Sequence, residues 1–278
     1  MIARRGFLMG CSAFAAWPIA ARADTSRIAL TGSLEQGSLV VGTARGGVVT
    51  VNGINVNVAA DGLFAFGFNY DQTKAVSITA KFRDGTAETR DVAPIVRKYD
   101  IQKINGLPEK YVSPPPEVLE RIKRENALVA EARKRDTAAT AFAQPFDWPA
   151  KGIISGTFGS QRIDNGTPMA PHFGVDIAAP ANAPIHAPAD GIVSLAEPDF
   201  YLTGGTTMLD HGHGISTVYI HQNELKVKVG DPVKRGDLIG LVGMKGRATG
   251  PHLHWGMNWF QMRLDPSRST ATTAPGKG

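Results

Sequence analysis

The sequence predicts an all-β dominated chain in two β-rich domains, joined by a single helical connector. Three observations carry that expectation. Apolar residues recur in short runs punctuated by Asn-Gly and Asp-Gly pairs, the pattern of strands and tight turns. Gly (31) and Pro (18) are frequent among the 278 residues, which favours turns over long helices. One stretch, after Ser113-Pro114-Pro115-Pro116, reads as a long helix. A hydrophobic share of 42% with 20% charged residues is ordinary for a globular protein and leaves ample material for a core.

Residues 1–23 read as a processing segment. Arg4-Arg5 precedes an apolar run from Phe7 to Ala20, and Ala21-Arg22-Ala23 offers a small-residue cleavage site before Asp24. The arginine pair resembles a twin-arginine export signal, so the expected location is periplasmic. Leu8-Met9-Gly10-Cys11 offers a lipoprotein anchor at Cys11 as a minor alternative, because its apolar core is short. Cleavage would remove Arg4, Arg5 and Arg22, lowering the formal +5 to about +2. The basic balance is therefore mostly address label and gives no argument for nucleic acid. Cys11 is the only cysteine, so a mature chain holds neither a disulfide nor a thiolate ligand. No segment is long and apolar enough for a comfortable membrane span.

Residues 24–112 read as a β-sandwich of immunoglobulin-like type. Strands are expected at 27–31, 39–41, 48–51, 54–58, 63–68, 76–82 and 86–92, with Asn52-Gly53 closing a hairpin. The segment has no histidine, so a positional or protective role is expected of it. Residues 113–145 form the connector: a stiff proline run, then a helix from Glu117 to about Asp136, with Pro116 suited to its first turn. Glu117–Arg121, Glu120–Arg124 and Glu131–Arg135 are favourable i,i+4 pairs, and the weak apolar face predicts a solvated spacer. A connector of this kind would let the first domain cover a site on the second. Residues 146–266 form the second β-rich domain, with strands expected at 191–196, 207–210, 216–221, 238–242 and 252–259. Residues 267–278 are expected to fray.

All seven histidines fall in the second domain. His252 and His254 are separated by one residue, so on a strand both project to one face. His172 and Asp176 are four apart, and His221 ends an alternating strand. His211 and His213 read as loop residues and His186 as structural. Two histidines and one aspartate make a suitable three-ligand set for a catalytic zinc, leaving further histidines for proton transfer. Spacing alone leaves open which of His252 and His254 is the ligand.

The motifs together resemble the LytM or lysostaphin-type zinc endopeptidases that cleave peptidoglycan peptides. The resemblance covers roughly residues 146–266. It rests on Phe158-Gly159-Ser160-Gln161-Arg162, Pro171-His172-Phe173-Gly174-Val175-Asp176, Asp210-His211-Gly212-His213-Gly214, Tyr219-Ile220-His221 and Thr249-Gly250-Pro251-His252-Leu253-His254-Trp255. It implies an antiparallel sheet with a groove, Zn2+ held by His172, Asp176 and His254, and a catalytic pair of His221 and His252. It implies peptidoglycan stem peptides as substrate and hydrolysis of D-alanyl–diaminopimelate cross-links. The alternative is a LytM-like regulator that activates a wall amidase, a role found where the ligands are lost. Gly256, Gln222 and the loop Gly243-Met244-Lys245-Gly246 depart from the usual pattern, and none of these departures removes a ligand.

Overall fold

A computed structural model describes residues 26–275, so the expected export leader and the alternative anchor at Cys11 lie outside the described residues. Seven strands open the chain: β1 (Ala29–Thr31), β2 (Leu39–Thr43), β3 (Gly47–Val51), β4 (Ile54–Val56), β5 (Leu63–Gly67), β6 (Val76–Phe82) and β7 (Ala87–Val92). They form two sheets, β1-β2-β5 and β4-β3-β6-β7. Strand β6 alternates as its sequence does, with Val76, Ile78, Ala80 and Phe82 buried, and they join Val49, Phe64 and Phe66 in one core. Asn52 and Gly53 both take positive φ, 51° and 79°, in the turn that pairs Val51 with Ile54. This is the backbone that a two-residue hairpin demands and that Asn-Gly supplies at least cost.

Strand β8 (Ile101–Ile104) and helices α1 (Glu109–Val112) and α2 (Pro116–Ala132) follow. Pro116 occupies the first turn of α2, where its missing N–H costs nothing. The helix is not a solvated spacer. Val129 and Ala132 pack against Leu195, Phe200, Met208 and Val218 of the second domain, while Leu119 and Leu128 stay exposed. Arg121 pairs with Glu125 at 2.6 Å, and Glu125 accepts the amide of Tyr201 at 2.9 Å. That shared, partly buried carboxylate draws Arg121 away from the Glu117 its spacing offered. Docking of this kind is invisible to helical periodicity, because only Val129 and Ala132, near the end of the helix, join the cluster.

The second domain continues with β9 (Ile153–Gly156), β10 (Gln161–Asp164), β11 (Thr167–Pro168), β12 (Val175–Ala178), β13 (Pro184–His186), β14 (Gly191–Phe200), β15 (Gly204–Gly212), β16 (Ile215–Gln222), β17 (Glu224–Leu225), β18 (Pro232–Val233), β19 (Leu238–Leu241), β20 (His252–Trp259) and β21 (Met262–Leu264). An eight-stranded sheet runs β18-β14-β15-β16-β20-β12-β9, with β21 beside β20. Its pairings are antiparallel. Strands β13, β19 and β17 make a smaller sheet, and β8 runs parallel to β10. Residues 101–104, expected to belong with the sandwich, thus complete a sheet of the second domain.

The two β-rich parts share contacts rather than a bare linker. Arg97 pairs with Asp265 at 2.9 Å, and the amide of Asp265 donates to the carbonyl of Gly37 at 2.6 Å. Phe66 meets Trp259 edge to face, with ring centroids 6.5 Å apart. Part of the stretch expected to fray is held in the fold: Asp265 caps a short 3-10 turn over Pro266–Ser269, and Thr270 bridges to Phe146.

His211 is a core residue of β15, not a loop residue. It is fully buried; its Nδ1–H donates to the carbonyl of Asp190 at 2.7 Å, and its Nε2 meets Thr217 Oγ1 at 2.8 Å. Burial lowers its pKa from 6.5 to about 4. The unfolded chain takes up a proton there near 6.5 and the folded chain only near 4, so stability falls as pH drops through that window. Urea titrations should show wild type losing about 3 kcal/mol more than His211→Gln between pH 7 and 4. Parallel slopes for the two proteins would refute the assignment.

Candidate metal centre

The site is built by register. In the antiparallel pairing of β12 with β20, Asp176 lies directly opposite His254, and Ala178 opposite His252. Residues paired across strands share a face, so Asp176, His252 and His254 all project to one side of the sheet. The alternate residues, Val175, Ile177, Leu253 and Trp255, are buried in the core on the other side. His172 precedes β12 and folds back over the same face.

His172, Asp176 and His254 converge, with ligating atoms within 4.8 Å of one another. Asp176 Oδ1 lies 2.9 Å from His172 Nε2 and 2.9 Å from His254 Nδ1, and the two nitrogens are 2.8 Å apart. His172 Nδ1–H is committed to the carbonyl of Thr157 at 3.1 Å. In that tautomer the ring presents a lone pair at Nε2. A lone pair, a carboxylate oxygen and a second imidazole nitrogen facing one point repel unless a proton or cation lies between them. The donor set fits a divalent metal of the zinc type, which takes neutral imidazole and carboxylate.

The carboxylate is held from behind. Arg162 bonds Asp176 Oδ2 and leaves Oδ1 for the histidines. Burial pushes the Asp176 carboxyl up, but the electrostatic pull and hydrogen bonds of the two facing imidazoles outweigh it, and its pKa lies well below the ordinary value. Burial lowers His254 to about 4, against an opposing hydrogen bond from Asp176. Both groups are thus deprotonated at neutral pH, as metal ligands must be.

His221 and His252 lie beside this trio. Their ring centroids are 4.7 Å apart, and His221 is 6.5 Å from His254. Each has its Nδ1–H tied to a backbone carbonyl, Lys245 at 2.8 Å for His221 and Gly250 at 2.9 Å for His252. Both therefore turn Nε2 outward. His252 Nε2 stands 3.9 Å from Asp176 Oδ1, well outside the tight trio. Ile220, the residue before His221, pairs with His254 and already occupies its face. Regular alternation would send His221 to the opposite side, but it takes φ +64°, and its ring returns to the histidine cluster. A left-handed conformation at a non-glycine residue is uncommon and held only by its surroundings; here its amide donates to the carbonyl of Thr203 at 2.7 Å. Burial, with His252 and His254 nearby, lowers its pKa to about 3, so it is neutral.

Two depressions meet at the cluster. One of about 510 Å³ is lined by His172, His221 and His254, and one of about 260 Å³ by Asp176 and His252, with Arg162 and Arg247 on both. The wall of the larger half comes from Asn126, Val129 and Arg133 at the end of α2. The segment between β5 and β6 also reaches this region: the Tyr70 ring packs on Phe173 at 4.9 Å, and Asn69 Oδ1 accepts the amide of Arg263 at 2.9 Å. Sequence reasoning assigned no role to Arg162 or Thr157, although Arg162 stands within a motif that carries the resemblance. His186 lies on β13, exposed, with Nδ1 on the carbonyl of Gly236 at 2.9 Å. His213 is buried against Phe142 at 4.7 Å. Neither joins the cluster.

An antiparallel β-sheet carrying a His-Asp-His cluster in a groove can hold a metal ion. Residues 170–266 match the sequence model of Peptidase family M23. Residues of the chain are 38% identical over 121 positions to the peptidoglycan DD-endopeptidase ShyA of Vibrio cholerae, covering 43% of this chain and 28% of that protein. They are 40% identical over 85 positions to the DD-carboxypeptidase/endopeptidase Mpg of Neisseria meningitidis, covering 30% of this chain and 19% of that one. The matches therefore take in less than a third of these relatives. A solved structure from Pseudomonas aeruginosa assigned to peptidase M23 superposes with a TM-score of 0.66 at 27% identity, covering 85% of this chain and 94% of that one.

Gly174 sets the clearance of the centre. A Cβ there would come within 2.5 Å of His254 Nε2 and 2.6 Å of the Trp255 carbonyl oxygen. Both contacts are too close for a methyl group, so the backbone around residue 174 and the His254 imidazole would have to move apart. Gly174→Ala should weaken metal affinity by roughly 10-fold or more, the scale on which ligand misorientation acts. Competition with a chromophoric chelator reads this directly; unchanged affinity would show that Gly174 does not position His254.

Proposed function

We propose that the protein is an exported, zinc-dependent endopeptidase that hydrolyses peptide cross-links of bacterial peptidoglycan, at D-alanyl–diaminopimelate bonds. The observation that carries this reading is the convergence of three donors, His172, Asp176 and His254, beside two imidazoles whose Nδ1–H groups are tied to backbone carbonyls. The names of the relatives supply the wall substrate, and the arginine pair of residues 1–23 supplies export to the periplasm. Among the described residues no helix is long and apolar enough to cross a membrane.

In this reading His172 Nε2, Asp176 Oδ1 and His254 Nδ1 hold the zinc. Bound there, zinc supplies Lewis-acid polarisation of a carbonyl and lowers the pKa of water toward ~7. The chain's own groups then handle protons. In the tautomer with its proton on Nδ1, each of His221 and His252 has a lone pair at Nε2, so either Nε2 accepts a proton from the attacking water. The imidazolium so formed is steadied at Nδ1 by Lys245 or Gly250, and it returns the proton to the departing amine. Its partner faces the oxygen of the attacked carbonyl, where charge develops. The groove on both sides of the cluster gives an extended peptide room to cross it.

The second reading, a regulator of a wall amidase, loses support from the same observation, because nothing is missing from the donor set. His254→Ala should abolish both zinc content and release of muropeptides from purified sacculi. His221→Ala should keep its zinc and lose roughly 100- to 10,000-fold in turnover. Metal analysis with mass spectrometry of the digest, with and without a chelator, checks both; full cleavage by either variant would overturn the mechanism.

A further inference from the structure

Four arginines line the larger half of the groove, and they are of two kinds. Arg162 bonds Asp176, and Arg247 lies 3.7 Å from Asp164. Arg133 and Arg263 have no carboxylate within ion-pair reach among the described residues. Arg133 follows the last turn of α2 and is only 8% exposed, yet its guanidinium makes no hydrogen bond and its Nε is buried without a partner. Arg263, on β21, reaches only Asn258 Oδ1 at 3.2 Å and lies over the Phe173 ring, 5.1 Å from its centroid. Burial, and then the charge of Arg263, lower Arg133 to about 9; burial also lowers Arg263.

A buried guanidinium and a half-buried one lining one groove, neither paired with a carboxylate, cost stability. A structural arginine would be expected to hold a carboxylate or carbonyl, as Arg162 and Arg97 do. What Arg133 and Arg263 share is the groove itself, which they line together with His172, His221 and His254. A guanidinium matches a carboxylate in a planar, two-pronged fashion, and a pair of them can hold one from two sides.

We propose that Arg133 and Arg263 form a carboxylate-binding subsite on the α2 side of the metal centre, which selects peptides bearing a free carboxylate near the scissile bond. The proposal rests on the peptidase reading above and adds the substrate feature the groove recognises. It also gives the docked connector a role in binding, since Arg133 reaches the groove only because α2 packs on the sheet. Peptides from wall stems carry carboxylates on their side chains and ends, whereas their amidated counterparts present no charge to the pair.

The test uses a synthetic D-alanyl–diaminopimelate cross-linked peptide with each free carboxylate converted in turn to its amide. Binding is read by fluorescence anisotropy on the full chain stripped of metal, so that it is independent of turnover, and KM and kcat are read on the zinc-loaded chain. Amidation of one carboxylate should weaken binding and raise KM by roughly 10- to 100-fold, the scale of a charge-assisted hydrogen bond. Arg133→Gln and Arg263→Gln should each collapse that preference. Arg133→Met should melt no lower than wild type, because it removes an uncompensated buried charge. Equal binding of the acid and every amide by wild type, or a preference kept in both variants, would overturn the subsite. A lowered melting temperature for Arg133→Met would mark the residue as structural and do the same. If the zinc-loaded chain cuts none of these peptides while metal-free binding still distinguishes acid from amide, the peptidase reading fails and the subsite stands.

Discussion

Everything at the centre depends on one cross-strand pairing, Asp176 opposite His254 on β12 and β20. Side chains on a strand alternate with a period of two, so this single register decides which residues meet the groove and which meet the core. A slip of one residue would bury the imidazoles and expose Leu253 and Trp255, both now fully buried. The apolar face therefore fixes the polar one. Dehydration of Trp255, Leu253 and Ile177 holds in place a cluster whose own groups repel each other unless a proton or cation lies between them. The site draws its rigidity from the opposite side of the sheet.

Around that pairing, backbone carbonyls set the chemistry of each imidazole. Thr157, Lys245 and Gly250 take the Nδ1–H of His172, His221 and His252, so all three rings offer Nε2. His254 differs, because its Nδ1 faces Asp176 and His172. Two histidines on one face of one strand are thereby distinguished: one faces the trio, the other is tied to its own loop. The left-handed backbone at His221 adds the last ring by breaking the alternation that would have turned it away.

The connector changes the picture of how the parts cooperate. A helix that read as a spacer is docked through Val129 and Ala132, and its end supplies a wall of the groove. Contacts such as Arg97 with Asp265 and Phe66 with Trp259 then join the first sheets to the second domain. The cleft is consequently the product of three segments distant in sequence, and its charge is set partly by Arg133 from outside the family-matched region.

Local information was enough for much of this. Alternating apolar runs and Asn52-Gly53 marked the first seven strands to within about two residues, since period and turn chemistry are properties of neighbours in the chain. The five candidate residues His172, Asp176, His221, His252 and His254 were legible from their types and spacing. What spacing could not supply was the division of work between His252 and His254, or the turn of His221 toward them. Nor could it reveal the burial of His211, the docking of α2, the pairing of β8 with β10, or the unpaired state of Arg133 and Arg263. Those depend on partners tens of residues away, and only the packed sheet decides which side chains lose water and which opposing group each one meets.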